Sequence, residues 1–481
     1  MKIIEQLFIF FIDILESIFR FAFEFIETAI TGIGKRKTSY SANFASPGIV
    51  LSRRQHGFSL TGRRNLSVKL SYQNALIIGG TGSGKSSVVL IPSLYTMQSS
   101  FIVHDPSGEL YSKSSGYLKE KGYEVKQLNF AHPEVSSCYN PLARAKTSSD
   151  IQKVASMLVQ NGMGEKSKDP FWNTQAVALL TILITILKTQ DLQYQNLYNV
   201  RQLLNQLGGS PEKIDNLFSK HADDVLFGEY KAFIAYDEKV INGVIATAKA
   251  ALQTFSDESI ARVTSTDTLD FQAFRDQPTV LYIKNSVADQ KYYSVLTSLF
   301  FEQFFSFLLG RFPKDKEQDI FLLIDEASSL NLPTLPLAVA NVRKHRSGIM
   351  LLVQDFSQLV HHYGKFDADA IKANCYTKMY FTGQSHEVTK ELEQTLGKFE
   401  FEDEDGKRMV RPLMTNDEIR TMKATLALLI CGNNPPILSK LRPYFNSLKY
   451  LGFSKLPEVE TGNTVSVETV PILPLTPLDH A

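Results

Sequence analysis

Residues 75–90, ALIIGGTGSGKSSVVL, constrain the fold more than any other stretch of the chain. An apolar run breaks into glycines, a lysine and two hydroxyls, then turns apolar again. The pattern Gly79-x-x-x-x-Gly84-Lys85-Ser86 is a Walker A loop, in which successive backbone N–H groups wrap phosphate oxygens and side chains would obstruct their approach. Gly79, Gly80, Thr81, Gly82, Ser83, Gly84, Lys85, Ser86 and Ser87 are therefore the expected phosphate cradle. Lys85 is placed to reach the β- and γ-phosphates of a nucleotide such as ATP, Ser86 to give Mg²⁺ a hydroxyl, and the following helix to turn its positive end toward the anion. Pro92 falls inside that helix and is expected to kink it.

A nucleoside triphosphate needs a second, acidic partner. Asp319-Ile-Phe-Leu-Leu-Ile-Asp325-Glu326 reads as a buried strand ending in two carboxylates, the Walker B arrangement. Asp325 would join the Mg²⁺ shell and Glu326 would polarise the attacking water, which implies hydrolysis and argues against a small-molecule kinase. Subtracting 85 from 325 leaves 240 residues between the two motifs. A succession of βαβ units needs only about 30 residues each, so something large is inserted.

With 481 residues, 43% of them hydrophobic, the chain is expected to fold as two or three domains. A formal charge of +1 gives the whole molecule no electrostatic case for nucleic acid, but from Thr28 to His104 there is no acidic residue. That window holds Lys35, Arg36, Lys37, Arg53, Arg54, Arg63, Arg64, Lys69 and Lys85, which fit phosphates or anionic lipid on one side and a plain solvated surface on the other about equally well. Cys138, Cys375 and Cys431 show no metal-ligand spacing and predict a reducing compartment without a metal cluster. His361-His362 lacks a third ligand at recognisable spacing, and Trp172 reads as a core anchor. Neither a Gly-x-Ser-x-Gly elbow nor a His-Glu-x-x-His helix occurs, leaving esterase and peptidase readings without support.

Near the N-terminus Lys2, Glu5, Asp13, Glu16, Arg20, Glu24 and Glu27 recur at steps of 3, 8, 3, 4, 4 and 3, which puts them on one stripe of an otherwise apolar helix. No charge-free run approaches the roughly 20 residues of a membrane span, so a helix lying in the membrane surface is expected over 1–33, with Lys35-Arg36-Lys37 as a basic anchor. A helix packed on a partner protein is the competing reading. The acids, and the lack of a small-residue cleavage site, argue against a removed signal.

Helical spacing dominates from about Ser149 to Asp267, and strand–helix alternation resumes at Thr279. The expected organisation is an amphipathic helix (1–33), the first part of a P-loop core (34–148), an all-α domain (149–267), the second part of the core (268–450) and a proline-rich flexible tail (451–481). The core is expected to be α/β, a parallel doubly wound sheet with ligand at its carboxyl edge.

Several segments together resemble the type IV coupling proteins, the TraG/TraD-type conjugative DNA-transfer ATPases. They are GGTGSGKSS (79–87), HDPSGELY (104–111), YNPL (139–142), DPFWNTQAVALL (169–180), LLIDEASSL (322–330), RSGIMLLVQD (346–355) and RPLMTNDEI (411–419). The Asp-Pro-Phe-Trp helix start and the Asp-x-x-Gly-Glu box are the most specific to that family. The resemblance implies a RecA-like motor interrupted by an all-α domain. It also implies a ring of six subunits at the cytoplasmic face of a bacterial inner membrane that hydrolyses ATP and drives DNA, single-stranded with its relaxase, toward a secretion channel. Gln354 matches the family's γ-phosphate-sensing glutamine. Arg343 and Arg346 are both placed to be an arginine finger on a neighbouring subunit's nucleotide.

Two departures stand out. The family's lysine between Asp and Gly of the box is here Ser107, and an amphipathic helix stands where transmembrane helices are common. Two other readings stay open: a nucleotide-gated platform that recruits secretion substrates with little pumping, and a RecA-like DNA pump outside conjugation.

Overall fold

The computed structural model describes residues 40–163, 170–285, 287–462 and 468–476, so the membrane-surface helix expected over 1–33 and its basic anchor lie outside the described residues. Nine strands form one sheet in the order β11-β10-β7-β1-β6-β5-β2-β4-β3. These are β1 (Ala75–Ile78), β2 (Ser100–His104), β3 (Glu124–Leu128), β4 (Thr279–Ile283), β5 (Ile320–Ile324), β6 (Ser347–Val353), β7 (Thr377–Tyr380), β10 (Leu426–Cys431) and β11 (Ile437–Lys440). Strands β1, β2 and β4 to β6 are buried along their whole length, as strands covered on both faces must be, which is why they read as unbroken apolar runs.

Seven of these strands are parallel, but β10 runs antiparallel to β7 and to β11. The parallel sheet expected from the sequence is present, with one antiparallel strand near its edge. Gly432, at φ +53°, makes the reversal out of β10.

Helices of six or more residues are α1 (Ile91–Thr96), α2 (Glu109–Glu120), α3 (Ser148–Met163), α4 (Pro170–Leu187), α5 (Leu197–Gly209), α6 (Pro211–His221), α7 (Asp224–Ile234), α8 (Glu238–Ala251), α9 (Glu258–Ser265), α10 (Gln290–Gly310), α11 (Leu335–Asn341), α12 (Phe356–Ala373), α13 (His386–Leu396) and α14 (Leu448–Phe453). Between β3 and β4 the long elements are all helical, α3 to α9. There α4 packs on α3 and α8, and Trp172 presses on Gly243 of α8, where a Cβ would come within 2.5 Å of the indole. Helices α4 and α10 are long and apolar enough to cross a membrane, yet the inward residues of both are buried in the fold.

Pro92 yields a π-helical turn over Ser86–Leu90, in which the Ile91 N–H bonds the Ser86 carbonyl, and α1 follows. Proline's missing N–H and the clash of its ring with the carbonyl four residues back are relieved by widening the turn.

By contacts the chain divides into a large unit, Phe44–Val388 with Arg420–Ala481, and a small one, Met1–Asn43 with Thr389–Ile419. In the small unit β8 (Lys398–Glu402) and β9 (Arg408–Pro412) form an antiparallel hairpin, Ser41 bridges Phe399, and Arg411 pairs with Glu418.

Of the flexible tail expected over 451–481, residues 451–462 and 468–476 are described. Helix α14 reaches Phe453, and beyond it the described residues are tied down. The Ser115 hydroxyl accepts from the Val459 N–H at 3.3 Å, Thr461 donates to the Val135 carbonyl at 2.6 Å, and Asn199 and Asn216 hold residues 471–476. Proline content argued for disorder, but polar side chains far away in sequence supply the missing partners.

Candidate functional site

Strand order decides which residues meet. Because β6 lies between β1 and β5, the loop after β1, Gln354 after β6 and Asp325-Glu326 after β5 emerge at one carboxyl edge from adjacent strands. The Gly79 N–H donates to the Val353 carbonyl at 3.1 Å and ties the loop to the end of β6.

Glycines shape the loop. Gly82 and Gly84 have φ of +74° and +93°, the left-handed region that L side chains avoid. A Cβ on Gly79 would lie 2.8 Å from both Phe381 and Ser83, whereas one on Gly80 or Gly82 would meet nothing. Lys85 folds back over the loop and donates to the carbonyls of Gly79 and, at 3.2 Å, Gly80. Burial lowers its pKa, and Asp325 and Glu326 oppose that shift. The Ser83 hydroxyl is buried with no hydrogen-bond partner among the described residues. A bare backbone concavity, a centred ammonium and an orphaned hydroxyl together fit a phosphate chain. Ser86 starts the helix at the loop's far end, Ser87 donates to the Gly84 carbonyl at 3.1 Å, and Thr81 is exposed.

Across the edge, Asp325 is 9% exposed, and burial, with Glu326 beside it, pushes its carboxyl up to about 7 against the pull of Lys85. Such a carboxylate is destabilised until a cation arrives, as a magnesium ligand should be. The Glu326 backbone is left-handed, at φ +48° and ψ +48°, which is uncommon for a residue with a Cβ and strained. That turn carries its side chain off the end of β5 at an angle an extended residue would not reach.

Three groups at this edge were not assigned roles from the sequence. His104, at the end of β2, is fully buried, and its Nδ1–H donates to the Asp325 carbonyl at 2.6 Å, while burial pulls its pKa down to about 4 and keeps the ring neutral. Asp105 accepts from the Tyr111 N–H at 2.8 Å and from Ser107, and burial pushes its carboxyl up to about 6. Lys284, after β4, holds its ammonium 4.3 Å from the Tyr111 ring centroid and near Gly108. A cation thus stands beside the box in which Ser107 replaces the family's lysine. Lys284 follows an apolar strand with no motif around it, so spacing alone gave no signal.

Gln354 is half-buried, with a side-chain amide that makes no hydrogen bond among the described residues. Gln358 links its surroundings, its Oε1 accepting from the Ser328 hydroxyl at 2.9 Å and from the Gln354 N–H at 3.3 Å.

The two candidate arginines lie elsewhere, at the amino end of β6, about 20 Å of strand from the carboxyl edge. Neither belongs to the chain's own phosphate cradle. Arg346 is held in place: it binds the Asp319 carboxylate through Nε at 2.8 Å and Nη2 at 2.7 Å, and donates to the carbonyls of Lys314 and Glu317. A guanidinium so committed is poorly suited to reach a second molecule. Arg343, on the turn just before it, is exposed, and its side chain makes no hydrogen bond or ion pair among the described residues.

A family model described as type IV secretory system conjugative DNA transfer matches residues 33–469. Among curated proteins, the VirD4 protein of Rhizobium rhizogenes is 21% identical over 402 residues, covering 77% of this chain and 58% of its own length. A probable conjugal transfer protein TraG of Sinorhizobium fredii is 22% identical over 390 residues, covering 76% and 61%. The chain therefore spans about three fifths of the length of these relatives. Among solved structures, the unbound bacterial conjugative coupling protein TrwB superimposes with a TM-score of 0.67 at 17% identity, covering 85% of this chain and 95% of that one. TrwB in complex with ADP and Mg²⁺ gives 0.63 at 19% identity, covering 85% and 96%. These superpositions establish the shared fold.

Proposed function

This chain belongs to the type IV secretory system conjugative DNA transfer family, and from that premise we propose that it is an ATP-hydrolysing coupling protein that recruits DNA, or DNA with attached protein, and drives it to a secretion channel. The observation that carries the reading is the convergence of the Gly79–Ser87 loop, the Asp325-Glu326 pair and Gln354 on the carboxyl ends of β1, β5 and β6.

In this reading the loop amides and Lys85 hold the phosphates, and Ser86 with Asp325 would hold Mg²⁺, which neutralises charge on the transferring phosphoryl group. Glu326 orients water and takes its proton, and Gln354 responds to the γ-phosphate. Like its relative TrwB, crystallised with ADP and Mg²⁺, the protein would use ATP and magnesium. Arg343 is the residue offered to a neighbouring subunit's nucleotide in a ring, expected to be hexameric, whereas Arg346 holds the turn beneath it. DNA contact is favoured by the bridge between Ser52 and Asn65, which sets Arg53 and Arg54 beside Arg64 and Arg63. Location at the inner membrane, cytoplasmic side, with contact through residues 1–37, follows from the family and the sequence pattern.

A recruitment platform with slow turnover is the second reading, favoured by an open groove along α3, α4 and α7 lined by Gln152, Ser156, Asn173 and Tyr236. ATPase activity measured with and without DNA, in parallel with Glu326→Gln, separates the two. DNA-stimulated hydrolysis lost in the variant supports the motor. Hydrolysis indifferent to DNA supports the platform, and activity surviving the substitution removes Glu326 as the water-activating base.

A further inference from the structure

A proline-rich chain end has few N–H donors with which to pair, so the manner in which this one is held is informative. The buried Asn199 of α5 donates from Nδ2 to the Pro471 carbonyl at 3.0 Å and accepts at Oδ1 from the Leu473 N–H at 2.9 Å. One side-chain amide thus reads a carbonyl and an N–H two residues apart, as a neighbouring strand would. Its orientation is fixed by Asn196, the N-cap of α5, whose Oδ1 accepts from Asn199 Nδ2 at 3.2 Å. On α6, Asn216 Nδ2 donates to the Thr476 carbonyl at 2.9 Å and to its hydroxyl at 3.3 Å. Leu473 is the one side chain of this stretch that is buried, at 8% exposure, while Ile472 is 55% exposed and Pro474 and Thr476 face solvent.

The earlier part of the strap is held differently. Gly116, in the middle of α2, lies under it so closely that a Cβ would sit 2.3 Å from the Pro457 carbonyl oxygen. Tyr111 donates to the Val459 carbonyl from the same helix. Residues 456–461 are thus interlocked with the core, whereas residues 471–476 are gripped mainly through the backbone, with one leucine and the Thr476 hydroxyl.

We propose that α5 and α6 form a peptide-recognition site whose resident ligand, residues 471–476, is exchangeable, and that the site accepts from a partner an extended, uncharged, proline-containing segment with a central leucine. The resident segment defines that chemistry. Its sequence PILPLT carries no charge, and its prolines lower the entropy lost on binding. Among the described residues, neutral amides make the polar contacts that hold it, so recognition is insensitive to salt, unlike contact with nucleic acid. The exposed Ile472 and Pro474 leave the site tolerant of sequence at those positions, whereas Thr476 is also read through its hydroxyl.

The probe is a fluorescein-labelled synthetic peptide of residues 468–477, followed by anisotropy on the full chain. Leu473→Asp expels the resident segment and leaves the site's own residues untouched. It should bind the peptide at least tenfold more tightly than wild type does, and adding Asn199→Ala should remove most of that gain. Equal binding to wild type and Leu473→Asp, or none to either, overturns the proposal. Hydrogen exchange of the wild-type chain keeps the test independent of how the variants fold. Amides of residues 468–476 should exchange at least a hundredfold faster than the middle of α5, whereas exchange at the same rate as the core would make the strap a fixed part of the fold.

Discussion

His104 and Asp325 are joined through the main chain: the imidazole Nδ1–H of the last residue of β2 donates to the backbone carbonyl of the first acid after β5. The bond locks the base of the turn from which Glu326 projects. His104→Phe keeps the volume and strands a buried carbonyl, at a cost of about 1–3 kcal/mol. Urea unfolding should show that loss, and turnover should fall with nucleotide affinity nearly unchanged. A variant as stable as wild type would mean that the carbonyl finds another donor.

Asp105 predicts a pH dependence. Its carboxyl is pushed from 3.8 up to about 6 by burial. Between those values the folded chain binds more protons than the unfolded one, so its contribution to stability falls as pH rises, and the penalty is complete above about 6. Two units correspond to about 3 kcal/mol. Asp105→Asn keeps an acceptor and removes the charge, so its stability relative to wild type should improve by about 2–3 kcal/mol from pH 4 to pH 7.5. Denaturant midpoints at both values test this, and a constant difference would refute burial as the cause.

Glu326 combines a strained backbone with its proposed role as the water-activating base. Left-handed backbone costs an L residue about 1–2 kcal/mol, and glycine gives back part of that relief through its greater freedom in the unfolded chain. Glu326→Gly should therefore melt no lower than wild type while hydrolysis falls at least ~100-fold. Thermal melts alongside turnover decide it. A large drop in melting temperature would place the residue's importance in folding.

Local chemistry explains why parts of this site could be read in advance and others could not. Gly79–Ser87 and Asp325-Glu326 each carry their meaning within a few neighbouring residues, and strand–helix alternation predicted the α/β sheet around them. Arg343 and Arg346 looked alike because Asp319, which claims one of them, is 27 residues away in sequence. The tail read as flexible because four prolines are a local signal, whereas Asn199 and Asn216 belong to helices more than 250 residues earlier. The antiparallel β10–β11 edge went unread because its strands are short and carry no motif.

Gly116 offers a case in which local propensity and packing disagree in sign. Alanine in the middle of a helix is favoured over glycine by about 1 kcal/mol. Yet the added Cβ would meet the Pro457 carbonyl at 2.3 Å, against backbone that cannot swing aside like a side chain. Gly116→Ala should therefore lower stability by about 1–3 kcal/mol. Stabilisation on urea unfolding would mean that the strap gives way easily.

Arg343 and Arg346 sit three residues apart and should fail in opposite ways. Arg346→Ala leaves Asp319, whose side chain is 17% exposed, without its guanidinium, so it should destabilise the fold while any surviving folded protein keeps its nucleotide affinity. Arg343→Ala removes an exposed side chain with no partner among the described residues, so melting temperature and nucleotide binding should not change. If Arg343 acts on a neighbour's nucleotide, turnover should drop about 10³-fold or more. Mixing then gives a decisive test. Arg343→Ala subunits keep Glu326, and Glu326→Gln subunits keep Arg343, so a mixed ring contains some junctions with both groups intact. Two inactive preparations should regain part of the activity when combined. A mixture as inactive as its components would show that the arginine serves its own subunit or has no part in hydrolysis.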